Sequence, residues 1–230
     1  MPRYLRPTAP IAADALLPAD PGLAMAIAQR ALVKPLMANH HHGLWGYSGT
    51  TASGLALTIQ ATGIGGPSAA AVLGELAGHG ARRLIGIGRC AALTDELRPG
   101  DRLVAAEALG ADGVSAALGE PGSRADAALA GAAAAAAGAT PAAVASADLP
   151  VAAIAPELIA EWRRRGALAV DLETAALLAI GARLEIAVAA VLIVSESTRG
   201  RLDDDALEAE LVELGAALVP ALGALERAPG

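Results

Sequence analysis

Residues 58–93 read TIQATGIGGPSAAAVLGELAGHGARRLIGIGRCAAL. A short apolar strand breaks into Gly63, Gly65, Gly66 and Pro67. A helix opens at Ser68, with Val72, Leu73 and Leu76 at helical spacing. After Gly80 a second apolar strand, Leu84 to Gly88, runs into Arg89, Cys90 and Ala91. Two strands joined by one helix predict a parallel β-α-β unit, and ligands of such sheets gather at the carboxyl ends of the strands. Glycines let backbone approach a ligand closely, and the N–H groups of a first helical turn suit an anion or a polar sugar. The same glycines also suit any tight strand-to-helix turn, so this segment alone leaves the ligand open.

Working outward, 230 residues are enough for one domain that buries about three quarters of its unfolded surface. With 54% hydrophobic and 18% charged residues the chain is globular, and a net charge of −7 argues against a nucleic-acid surface. The one cysteine, Cys90, excludes an internal disulfide and a cysteine-rich zinc site. With no leader pattern in MPRYLRPTAP, a cytoplasmic location is expected. Phe is absent, so the core must be built from Ala, Leu, Val and Ile.

Residues 1–14 read as an extended arm that docks on the body or on a neighbouring subunit. Ala15 to Leu17 is a strand, and Leu23 to Val33 has a helical pattern. His40, His41 and His42 are adjacent, and successive side chains on a strand alternate sides, so no metal site is expected there. Tyr47 to Thr51 and Leu55 to Ala61 read as a hairpin. Strands follow at Arg102 to Leu109, Ala142 to Ala147, Leu168 to Val170 and Ile186 to Val194. Gly110 to Ser115 reads as loop. Helices are expected at Ala125 to Gly138, Pro156 to Arg165, from Glu173 to about Arg183, and at Leu202 to Leu225. The alanine-rich helix is too short and too weakly apolar to cross a membrane.

In an alternating α/β chain the strand ends share one rim, which brings together Asp20 to Gly22, Gly63 to Ser68, Arg89-Cys90, Asp171 to Glu173 and Glu196 to Arg199. Glu173, set among Val170, Leu172, Ala175 and Ala176, is an acid at the mouth of a dry site. It can accept two hydrogen bonds from a vicinal diol such as a ribose, or serve as a helix-start carboxylate. Glu196 reads either as a general acid or as a solvated loop acid.

The motifs TGIGGPSAAAVLGEL, IGIGRCAAL followed by RPGDRLV, VDLETAALL and VSES, in this order and spacing, resemble the nucleoside phosphorylase and nucleosidase family. That family includes uridine phosphorylase and the hexameric purine nucleoside phosphorylases. LLPADPGLAMAIA and GLWGYSGT fit as well, so the resemblance covers nearly the whole chain. It implies residues 1–230 as a single domain, a three-layer α/β/α sandwich with a mixed central sheet, and a homo-oligomer built as a dimer or a trimer of dimers. It also implies cleavage of the N-glycosidic bond of a purine or pyrimidine nucleoside, with phosphate as co-substrate and no other cofactor. By the resemblance Glu173 binds ribose, Leu172 stands where a methionine usually packs on the sugar, and Glu196 stands where an aspartate protonates the base in purine-specific members. Gly65 and Gly66 flank the sugar and phosphate.

The departures concentrate on phosphate. Ala19 and Leu23 stand where the family's first phosphate loop has glycine and arginine. His42 stands at an arginine usually donated by a neighbouring subunit, Gly86 at a phosphate arginine, Arg89 at a threonine, and Asp171 at a glutamate. Three cations are missing, so phosphate binding is expected to be weakened or altered. Arg89 could restore one charge, or pair with Glu173 or Asp20. The resemblance therefore leaves three readings: a phosphorylase, a phosphate-independent nucleosidase, or an inactive nucleoside-binding or structural subunit.

Overall fold

A computed structural model describes residues 4–120 and 122–226. The first half of the chain runs β1 (Asp14–Pro18), α1 (Pro21–Ala31), β2 (Val33–Asn39), β3 (Gly46–Thr50), β4 (Ala56–Gln60), α2 (Gly66–Gly78) and β5 (Arg83–Ala92). The second half runs β6 (Arg102–Ala111), α3 (Gly113–Leu118), β7 (Gly122–Arg124), α4 (Ala127–Ala137), β8 (Thr140–Ala147), α5 (Pro156–Arg164) and β9 (Ala167–Asp171). It ends with α6 (Thr174–Arg183), β10 (Ala187–Ser197), β11 (Gly200–Arg201) and α7 (Asp204–Glu226).

All the strands join one mixed sheet, ordered β11-β10-β6-β8-β9-β5-β1-β4-β3-β2, with β7 on β6. The three expected layers are present. Leu23, Ile27, Leu129, Leu214 and Leu218 of α1, α4 and α7 pack on Leu16, Ile85, Ile87 and Ile193. On the opposite face Val72, Leu73, Leu177 and Leu178 of α2 and α6 pack on Ala15, Leu17 and Leu84. A side chain at every second strand position serves one face, which is why neighbours in DALLP feed different layers.

The sheet is not simply open. β10 pairs in parallel with β5 and antiparallel with β6, while β8 joins β6 to β9 and β9 returns to β5. Five strands thus close into a ring. Its interior is Cys90, Leu103, Ala105, Ala142, Val144, Ala169, Ala190, Leu192 and Val194. Small residues on every strand suit the narrow interior of so few strands.

Several boundaries differ from the sequence reading. β4 and β5 are parallel, but β1 lies between them and pairs with both. The fully buried DALLP needs a neighbour on each side, and the crossover through α2 therefore skips one strand. α1 ends at Ala31, and Val33–Asn39 forms the edge strand β2, where Pro35 is tolerated because an edge leaves N–H groups unpaired. Residues 110–115 are not loop. β6 continues to Ala111, and Asp112 caps α3 by accepting hydrogen bonds from Val114 N and Ser115 N, both 3.0 Å.

The arm docks on the body, as one of its two readings held. Tyr4 N and Leu5 N each donate to the Glu75 carboxylate of α2 at 2.8 Å, and Leu5 is fully buried. Its first three residues lie outside the described residues. No helix among the described residues is long and apolar enough to cross a membrane.

Candidate active site

A cleft opens at the carboxyl ends of the strands. Leu17 and Ala19 reach it from β1, Thr62 from the exit of β4, Gly86 and Gly88 from β5, and Ala190 and Leu192 from β10. Asp171, Glu173, Thr174 and Leu177 come from the β9-to-α6 junction. The exits of β1 and β4 are tied together: Thr62 N donates to Pro18 O and Gly63 N to Ala19 O, at 2.9 and 3.0 Å. The empty space, open mouth included, is about 260 Å³.

The centre of the cleft is a contact between two motifs far apart in sequence. Gly65 N, at the start of α2, donates to Glu173 Oε1 at 2.9 Å. Gly65 has φ +87°, a left-handed conformation that leaves its N–H free to point at the acid. Gly66 lets the helices come close: a methyl there would sit 3.2 Å from Ala176 Cβ of α6. Burial, then the nearby charge of Asp171, pushes the Glu173 carboxyl up to about 7, against the opposing pull of the Gly65 N–H and of Arg89. This acid changes charge near neutral pH.

Asp171 is buried and its oxygens are engaged. Oδ1 accepts from Ser146 Oγ, and Oδ2 accepts from Thr174 Oγ1 at 2.6 Å and Thr174 N at 3.0 Å. Ser146 Oγ in turn accepts from Ala175 N at 2.9 Å. Asp171 therefore caps α6 and ties it to the end of β8. Burial raises its pKa, and these hydrogen bonds oppose the rise.

A family model described as the phosphorylase superfamily matches residues 14–225. The chain belongs to the phosphorylase superfamily. A purine nucleoside phosphorylase DeoD-type of Clostridium perfringens is 29% identical over 181 residues, spanning 75% of this chain and 77% of that relative. Those of Oceanobacillus iheyensis and Geobacillus kaustophilus are each 35% identical over 96 and 102 residues. These matches span 41% and 44% of this chain, and only 40% and 43% of the relatives' own lengths.

On this superfamily scaffold, the cleft gathers Ala19, Gly86, Asp171 and Glu173, with Gly65 joined to Glu173 and Gly66 packed behind it. Other sequence candidates stand elsewhere. Cys90 is in the core of the strand ring, where burial pushes its thiol pKa up. Leu23 is 6% exposed in the core under α1. Leu172 is half-buried, and neither it nor Leu23 lines the cleft. Glu196 is exposed beyond a bulge, since β10 shifts register against β5 between Val194 and Glu196. His42 is exposed in a 3-10 turn, with its ring 5.9 Å from that of Tyr4. Arg89 is exposed and makes no ion pair with Glu173 or Asp20 among the described residues, while its charge still acts on Glu173. Asp20 is instead the cap of α1, accepting from Leu23 N at 2.7 Å.

Sequence reasoning missed Leu177 and Ser146. Leu177 sits in VDLETAALL as an ordinary helix residue, and only the turn of α6 aims it at Gly86. A methyl at position 86 would lie 2.9 Å from Leu177 Cδ1. Ser146, at the end of β8, could have been suspected from its place on the common rim.

Proposed function

We propose that this chain binds a purine nucleoside by its pentose and cleaves the bond from sugar to base. The observation that carries this is the hydrogen bond from Gly65 to Glu173. It sets a half-buried acid and a glycine turn together at one cleft on the strand ends. Glu173 has lone pairs left to accept the sugar hydroxyls, and its negative charge favours the cationic sugar that forms as the glycosidic bond lengthens. The relatives named purine nucleoside phosphorylase support purine as the base. Base release from a panel of purine and pyrimidine nucleosides tests this. Glu173→Gln is expected to lower it by about two orders of magnitude with the fold intact. Unchanged release in that variant would remove Glu173 from the mechanism.

A second reading, binding without turnover, draws support from Glu196, which is exposed and lines no part of the cleft. Nucleoside-dependent thermal stabilisation with no base released would favour it. Under either reading we propose that the chain assembles with copies of itself. The edge strand β2 leaves Val33, Leu36 and Met37 at 53%, 62% and 45% exposure, an apolar edge of the kind that pairs with another chain. Sedimentation showing only monomer would reject this assembly.

A further inference from the structure

Cleavage of a nucleoside needs an acceptor for the sugar, and the name phosphorylase points to phosphate. The charge and hydrogen-bond inventory of this cleft points the other way. Among the described residues, the only charged ones lining it are Asp171 and Glu173, both acids. Where an anion would look for a cation it meets Ala19, Gly86 and Leu177. Leu177 Cδ1 and Ala190 Cβ crowd the space above Gly86, at 2.9 and 3.4 Å from where its first side-chain carbon would be.

Backbone donors are partly spent as well. Two helices begin at the cleft, and a free helix start is a natural anion site. Here Gly65 N donates to Glu173, Thr174 N to Asp171 and Ala175 N to Ser146 Oγ, and Pro67 has no N–H to offer. Two carboxylates and a hydroxyl of the chain itself thus hold three donors that face the acids. Burial and the Asp171 charge already raise the Glu173 carboxyl, and an incoming dianion would add to that like charge. Arg89 is exposed and outside the cleft lining; its charge reaches Glu173, but its pull is outweighed there by burial and the Asp171 charge.

We infer that the cleft excludes inorganic phosphate and that water is the acceptor of the sugar. The inference rests on the cleavage reading above. In the step, the water oxygen forms a bond to the anomeric carbon as the carbon–nitrogen bond breaks, with that bond's electron pair leaving on the base nitrogen. One water proton remains on the new hydroxyl and the other ends on the departing base, so the products are free pentose and free base. No oxidant or reductant is involved.

The test uses the full chain with a purine nucleoside, with and without inorganic phosphate at matched ionic strength, and identifies the sugar product. Free pentose is expected, carrying oxygen from labelled water, at rates equal within roughly a factor of two in the two conditions. Pentose 1-phosphate, or release that requires phosphate, overturns the inference. A parallel titration follows phosphate binding by phosphorus NMR and by thermal shift. No saturable response is expected, and a saturable one overturns the inference. Absence of base release from any nucleoside strikes the cleavage reading, and the phosphate titration then still decides whether the cleft excludes the anion.

Discussion

Glu173 is a carboxyl held against its own charge. Burial and Asp171 raise it from 4.5 to about 7, so between those values the folded chain binds a proton that the unfolded chain does not. Stability must then fall as pH rises through that window, because the native state holds the extra proton. The raised value corresponds to roughly 2 kcal/mol once its partial contact with solvent is allowed for. Glu173→Gln keeps an oxygen for the Gly65 N–H and removes the titration. We expect urea denaturation near pH 8 to find the variant more stable than the wild type by roughly this amount, with the difference gone near pH 4. A wild type whose stability changes with pH no differently from the variant would contradict the burial of this acid. The sequence showed Glu173 as an acid in apolar company. The shared rim of the strand ends brought Gly65 and Glu173 to one cleft; that a direct hydrogen bond would join them was not visible, because the contact joins residues 108 positions apart.

Helix α6 is the element that sets the site, since Asp171 and Glu173 stand just before its first turn and its Leu177 lines the cleft beside Gly86. Its far end is seated by Gly181, where a methyl would lie 2.4 Å from Val188 Cγ2 and 3.0 Å from Val188 Cβ on β10. Val188 is itself buried, so Gly181→Ala must lift the helix or displace the strand. We expect a loss of about 2 kcal/mol in thermal or chemical denaturation. Gly74→Ala on α2, where nothing lies within 4 Å, should instead stabilise by roughly 0.5–1 kcal/mol through helix propensity. Equal effects at the two positions would mean that α6 does not pack this closely. At this scale the sequence was readable where periodicity was strong: β5, β10 and α6 appear near their observed places. It was silent where a short element depends on one cap or one neighbour. α3 hangs on Asp112, and β2 exists because β3 is there to pair with it.

The whole molecule is held from the end of the sheet opposite the cleft. The parallel β-α-β pattern followed from the alternation of strands and helices and the three layers from the family resemblance, but the ring closure followed from neither. Pairing of β10 with both β5 and β6 is a property of strand length and curl, which no local pattern encodes. β1 is the strand that joins this ring to the hairpin side, and its first residue makes the strongest polar clamp described. Asp14, 2% exposed, accepts from Arg83 Nε at 2.6 Å and Nη2 at 2.7 Å, a two-pronged pair between β1 and β5. Removing Asp14 takes away two charge-assisted hydrogen bonds at once, at a cost of about 3 kcal/mol. Arg30 and Glu213 also pair, at 3.2 Å, but their side chains are 56% and 60% exposed, so solvent screens them and the pair contributes little. Asp14→Ala should therefore lower the free energy of unfolding by about 3 kcal/mol, and Arg30→Ala should change it by less than about 0.5 kcal/mol. Because Asp14 sits at the strand end away from Ala19, Gly86 and Glu173, nucleoside affinity of the folded Asp14→Ala protein should match the wild type when measured well below its melting point. A lost affinity at full folding would show that the clamp reaches the cleft, and a loss no larger than that of Arg30→Ala would show that it does not hold β1 to β5.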